Sequence, residues 1–72
     1  SKIVFLEGEG SELIWTRRAL RRIGYTVKEE WSHGSPRVSV IPRDDTIIWQ
    51  VERDGQTDTF VSIYDLLQSL SK

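Results

Sequence analysis

A cluster of four arginines is the most chemically distinctive feature of this sequence. Arg17, Arg18, Arg21 and Arg22 follow closely after Trp15. Guanidinium groups form paired hydrogen bonds with carboxylates and phosphates, and an indole ring stacks on a base or fills a pocket on a protein. The formal net charge of the whole chain is -1, so the cluster stands out against a nearly neutral background. It is therefore the first candidate for a binding surface.

The arginines lie in a segment whose pattern is typical of an amphipathic helix. At about 100° per residue, one face collects Leu13, Thr16, Ala19, Leu20 and Ile23. The arginines occupy about 140° of the other side, with Ile14 among them and Trp15 at their edge. We name this outer side the basic–aromatic face, and we predict that it binds the partner through Ile14, Trp15, Arg17, Arg18, Arg21 and Arg22.

Three interpretations of the basic–aromatic face are open. Exposed arginines near a helix C-terminus are often only solvated, and each favours the helix by about 0.3–1 kcal/mol. Arg and Trp are also enriched at protein binding hot spots, which favours an acidic protein surface as partner. A second copy of the chain fits too, because the chain itself carries the complementary Asp44, Asp45, Asp54 and Asp58. Alternatively, the arginines contact phosphates while Trp15 stacks on a base, although nearby glutamates oppose such an approach.

Catalytic side chains are sparse in this sequence. It has no cysteine and one histidine, His33, which falls in a predicted turn, so no nucleophile with a positioned base is indicated. Glu29 and Glu30 are adjacent on a predicted strand and should point to opposite faces. Asp44 and Asp45 fall in a turn, where Asp commonly bonds its own backbone. We therefore expect no enzyme activity, no catalytic residue, no metal site and no cofactor.

Another group of carboxylates lies where the first strand leads into the helix. A strand that ends in Glu7-Gly8 before a helix resembles the opening of a Toprim domain, and this resemblance implies a glutamate that supports metal-dependent phosphoryl transfer. The resemblance covers residues 2–27, and the Asp-x-Asp pair that the family carries later has no match here. Gly8-Glu-Gly10 lacks the spacing of a phosphate-binding loop. We interpret the segment as a flexible strand-to-helix turn.

Alternation and turn residues divide the chain into the order β-α-β-β-β-β-α. The first strand is predicted over residues 2–6, and the first helix runs from an N-cap at Ser11 to about Ile23, with Gly24 as its left-handed cap. The later strands are predicted over 25–32, 38–40, 47–52 and 57–61. Ser62 then caps a helix with the apolar stripe Ile63, Leu66, Leu67 and Leu70. Short turns predict that strands two to five form an antiparallel meander.

The predicted fold class is a single small α+β domain over residues 1–72, with a mostly antiparallel sheet and two helices on one face. Charged residues make up 29% and hydrophobic residues 38%, as in folded soluble domains. No apolar run approaches the roughly 20 residues that span a bilayer, and cysteines and a secretory pattern are lacking. We expect a complete small cytoplasmic protein without a membrane partner. Its predicted function is non-enzymatic protein binding or self-association, and nucleic-acid-binding regulation is the alternative.

Overall fold

The computed structural model describes residues 2–71 and confirms the predicted order of elements. The elements are β1 (Ile3–Gly8), α1 (Ser11–Arg22), β2 (Thr26–Lys28), β3 (Arg37–Arg43), β4 (Thr46–Arg53), β5 (Gln56–Phe60) and α2 (Ile63–Ser71). α1 lies against β1 and β2, α2 lies against β4 and β5, and the two helices contact each other. Within residues 2–71, no helix is both long enough and apolar enough to cross a membrane.

The five strands form one mixed sheet in the order β2-β1-β3-β4-β5. β1 pairs in parallel with β2 and with β3, whereas the β3–β4 and β4–β5 pairs are antiparallel. The predicted meander is therefore wrong at its first step, because β1 lies between β2 and β3. Val4 and Leu6 of β1 are 0% and 5% exposed, and such a strand gains most from a central position covered by a helix.

The hydrophobic core lies between the helices and the sheet. Its buried apolar side chains are Val4, Leu6, Leu20, Val38, Val40, Trp49, Val51, Leu66 and Leu70. Leu13, Ile23, Ile63 and Leu67 pack against this cluster from the two helices. The apolar faces predicted for both helices, for β3 and for β4 are confirmed by this arrangement.

The two helices begin in different ways. Gly10, with φ of 92°, is the N-cap of α1, and no side chain caps this end. The prediction of Ser11 as N-cap is wrong because Gly10 takes the left-handed turn out of β1 and its carbonyl accepts the N–H of Leu13 at 3.2 Å. Ser62 does cap α2 as predicted, since its Oγ accepts the N–H of Tyr64 at 3.2 Å.

The C-terminus of α1 forms a Schellman motif at the predicted glycine. Gly24 has φ of 101°, and its N–H donates to the carbonyl of Arg21 at 3.0 Å. The N–H of Tyr25 donates to the carbonyl of Leu20, also at 3.0 Å. The Tyr25 hydroxyl then donates to the Leu70 carbonyl at 2.8 Å, so this turn also anchors the end of α2.

The lengths of β2 and β3 differ most from the prediction. β2 ends at Lys28, so Trp31 lies outside the strand and is 48% exposed. β3 continues through Pro42 to Arg43, which were predicted to lie in a turn. The missing N–H of Pro42 is tolerated there because β1 pairs with β3 only as far as Val40.

Candidate functional site

α1 directs the basic–aromatic face away from the sheet. Thr16 and Leu20 on the other side of the helix are both 0% exposed, which fixes the rotation of α1 about its axis. Ile14 and Trp15 consequently remain 50% and 56% exposed. The exposed arginines of the face are Arg18, Arg21 and Arg22.

Arg17 differs from the other members of the face because it is half-buried. On the helix it follows Thr16 and lies nearer to the apolar stripe than the other arginines do. Arg17 is therefore at the margin of the surface, and the exposed centre of the face consists of Ile14, Trp15, Arg18, Arg21 and Arg22.

Trp15 and Arg18 contact each other on the surface of α1. The guanidinium carbon of Arg18 lies 5.3 Å from the centre of the Trp15 ring. Residues three apart on a helix are neighbours, and a cation over an exposed indole contributes about 0.5–1 kcal/mol. In the free domain the pair already presents an aromatic ring with a guanidinium group over it.

The charge of the basic–aromatic face is not neutralised locally. Within residues 2–71, the one ion pair closer than 4 Å joins Arg37 and Glu52, with N and O 3.7 Å apart. The arginines of α1 thus have no carboxylate at that distance in this part of the chain. A guanidinium group can donate two parallel hydrogen bonds to a carboxylate or a phosphate, so these arginines are available to bind an anionic group.

The catalytic candidates of the sequence lie apart from one another. His33 is in the loop between β2 and β3, where its ring meets Trp31 edge-on at a centroid distance of 6.0 Å. Glu7 lies on β1 and accepts a hydrogen bond from the Ser39 hydroxyl at 2.8 Å. Across the described part of the chain, no three His, Asp or Glu side chains form a group that could hold a metal ion.

The sheet face opposite the helices carries a polar row that was not predicted. Arg37 on β3 stands opposite Phe5 on β1 and Glu52 on β4. Its guanidinium carbon lies 5.5 Å from the Phe5 ring centre, in addition to the ion pair with Glu52. The alternation of Arg37 and Ser39 with the buried Val38 would reveal that they share this face. The β1–β3 pairing that completes the row is not visible in the sequence.

Comparison with known proteins adds one result to this geometry. A family model described as the iron ABC transporter C-terminal domain matches residues 1–71. No curated protein matched the chain, and no solved structure matched it. Because the family match includes both helices and all five strands, the chain belongs to the iron ABC transporter C-terminal domain family.

Proposed function

We propose that this chain is an accessory domain of an iron ABC transporter and binds a protein partner through the basic–aromatic face of α1. The family match supports the association with a transporter. The choice of surface rests on the exposed Trp15–Arg18 pair: Trp15 is 56% exposed, and the Arg18 guanidinium carbon lies 5.3 Å from the centre of its ring. In this proposal the domain is not an enzyme and works in the cytoplasm.

A protein partner accounts for the apolar members of the face. Half-exposed Ile14 and Trp15 gain free energy when a partner removes them from water, at roughly 25 cal/mol per Å² of apolar area. Arg and Trp are also the residue types most enriched where interfaces bind tightly. The partner should present carboxylates, because the free guanidinium groups around Trp15 would otherwise lose water without compensation. A second copy of this chain carries such groups in Asp44, Asp45, Asp54 and Asp58, and a surface of the transporter would need acidic residues of its own.

Charge reversal on α1 tests the proposal. Binding of the 72-residue chain to the purified transporter is measured by biolayer interferometry for the wild type and for the double variant Arg18→Glu/Arg22→Glu. The matched control is Lys28→Glu/Arg43→Glu, which makes the same charge change at exposed residues of β2 and β3. We expect the α1 variant to weaken binding at least about tenfold, equivalent to roughly 1.4 kcal/mol, and the control to bind like the wild type.

The same assay separates the alternatives. Equal losses in both double variants would mean that net charge, rather than the α1 surface, controls binding. A signal that disappears on nuclease treatment, and falls steeply with salt, would favour the nucleic-acid-binding alternative. Sedimentation of the chain alone over a range of concentrations identifies self-association. Binding that is unchanged in the α1 variant would show that the arginines are only solvated.

A further inference from the structure

The outer edge of β5 is an unpaired strand edge. β5 is the last strand of the sheet and pairs with β4 on one side only. It spans Gln56–Phe60, whereas the strand at the other edge of the sheet, β2, spans only Thr26–Lys28. The β5 side chains before Phe60 are all exposed. Unpaired N–H and C=O groups along such an edge are a template for another strand.

The turn before β5 determines which backbone groups face outward. Arg53 and Gln56 flank a two-residue turn, Asp54–Gly55, whose φ angles are 53° and 77°. Positive φ at both central residues is typical of a type I′ hairpin, in which the flanking residues exchange hydrogen bonds and the pattern then alternates. Thr57 and Thr59 therefore occupy non-hydrogen-bonded positions, and their N–H and C=O groups point away from β4.

A groove of about 490 Å³ lies between β5 and α2. Asp58 of β5 and Asp65 of α2 both line it, and Phe60 contributes an apolar wall. Asp58 is on the helix side of the sheet because its cross-strand partner is the buried Val51. Within residues 2–71, neither aspartate has a cation within 4 Å.

Arg53 also lines this groove but forms no ion pair within 4 Å with either of these aspartates. Its Nη2 donates to the carbonyl of Ser69 at 3.1 Å and approaches the Ser69 Oγ at 3.3 Å. The guanidinium is thereby held against the backbone of α2. The groove lining therefore sets two aspartates against one arginine, which is a net formal charge of −1.

We propose that β5 binds an extended segment of another protein as an added strand, with a Lys or Arg of that segment beside Asp58. Main-chain hydrogen bonds to Thr57 and Thr59 provide affinity, as in other examples of strand addition. Alternate side chains share a face, so the bound segment places an apolar residue beside Phe60, two positions from its cation. This surface is separate from the basic–aromatic face, and the inference does not depend on the proposed function.

A second copy of β5 is a poor occupant of the same edge. Closed dimers are usually two-fold symmetric, so an antiparallel β5–β5 pair would bring the two Asp58 carboxylates toward each other. Like charges opposite each other on neighbouring strands are destabilising. The negative charge of Asp58 thus disfavours pairing of β5 with a second copy of β5, and it favours a segment that carries a Lys or Arg.

Peptide titration followed by NMR tests this inference. The probe is the synthetic peptide acetyl-Val-Thr-Lys-Thr-Val-amide, which presents its cation and an apolar neighbour in either strand direction, and the matched control carries Glu in place of Lys. We expect the Lys peptide to shift the amide signals of Thr57 and Thr59 and to bind at least about tenfold more tightly than the Glu peptide. In Asp58→Lys the preference should reverse. Equal binding of both peptides, shifts at another surface or no shifts at millimolar peptide would overturn the proposal.

Two further variants separate strand addition from simple charge attraction. Thr59→Pro removes an N–H that points away from β4 and leaves the β4–β5 hydrogen bonds in place. The affinity for the Lys peptide should therefore fall at least about tenfold. If circular dichroism shows that this variant is unfolded, the proposal is tested by whether Asp58→Lys reverses the preference between the Lys and Glu peptides. Arg18→Glu/Arg22→Glu should leave peptide binding at β5 unchanged. The strand-addition proposal and the proposed function of α1 can therefore be refuted independently of each other.

Discussion

The indole N–H of Trp49 donates a hydrogen bond of 2.9 Å to the Oγ1 of Thr16 inside the core. Thr16 is 0% and Trp49 is 6% exposed. The same hydroxyl donates to the carbonyl of Glu12 at 2.7 Å, so it is used as both donor and acceptor. Because Thr16 is on α1 and Trp49 is on β4, this bond fixes the rotation of α1 and turns Trp15 toward the surface.

Replacing Thr16 with Val should destabilise the fold more than its small change in shape suggests. The substitution keeps the branched side chain but leaves the buried N–H of Trp49 without its acceptor. An unsatisfied buried donor costs about 1–3 kcal/mol. Urea denaturation followed by circular dichroism measures the loss in the free energy of unfolding.

A double-mutant cycle provides the control for that substitution. In a Trp49→Phe background the donor is already absent, so Thr16→Val should cost about 1 kcal/mol less than it does in the wild type. An equal cost in the two backgrounds would show that the hydrogen bond does not account for the loss.

Gly8→Ala should destabilise the junction between β1 and β3. A Cβ on Gly8 would lie 2.6 Å from the carbonyl oxygen of Val40, and Gly8 has φ of 139°. We expect a loss of at least about 1–3 kcal/mol in the free energy of unfolding. Gly34→Ala is the matched control because Gly34 also has positive φ, 89°, but a Cβ there meets no atom within 4 Å. Similar losses at the two positions would contradict the close strand contact.

Glu52→Gln should have a small and salt-dependent effect. The Glu52–Arg37 ion pair is 3.7 Å long, and the two side chains are 53% and 39% exposed. Exposed pairs of this kind contribute about 0–1 kcal/mol. Urea denaturation at low salt should show that loss, and about 1 M NaCl should remove it by screening. Arg37→Ala should cost more than Glu52→Gln at high salt, because it also removes the contact with Phe5; equal costs would contradict that contact.

Arg18→Glu/Arg22→Glu should leave the domain folded. Both side chains are exposed, and reversing charge near the end of α1 costs about 0.3–1 kcal/mol per residue through the helix dipole. Far-ultraviolet circular dichroism should therefore match the wild type at room temperature. An unfolded spectrum would show that these arginines support the fold, and the assignment of their surface to a partner would lose its basis.

Local patterns were sufficient to predict the helices. The spacing of Thr16 and Leu20 in α1 assigns the buried side because the period of a helix depends only on neighbouring residues. The caps predicted at Gly24 and Ser62 are confirmed for the same reason, since a cap is formed within one turn of its helix. At the start of α1, two adjacent residues are both suited to capping, and the backbone turn at Gly10 decided between them.

The order of the strands in the sheet could not be predicted from the sequence pattern. Leu6 pairs with Val38, and nothing in either strand distinguishes this partner from another apolar strand. The polar row around Arg37 and the groove beside Asp58 both depend on such pairings and on the position of α2. The spacing of the residues on α1 predicts the exposed members of the basic–aromatic face, whereas Arg17 is half-buried. Its role in binding a partner stays a prediction.

Photo-crosslinking from position 15 tests the role of the basic–aromatic face most directly. Trp15 is replaced by benzoylphenylalanine in the intact transporter, and cells that contain this variant are irradiated. The control carries the same substitution at Trp31, which is 48% exposed and lies outside α1. We predict a covalent adduct with a protein of the transporter or with a second copy of the chain, which is formed from position 15 alone and lost in Arg18→Glu/Arg22→Glu. An adduct with nucleic acid, the same adducts from both positions, or no adduct from position 15 would contradict protein recognition by α1.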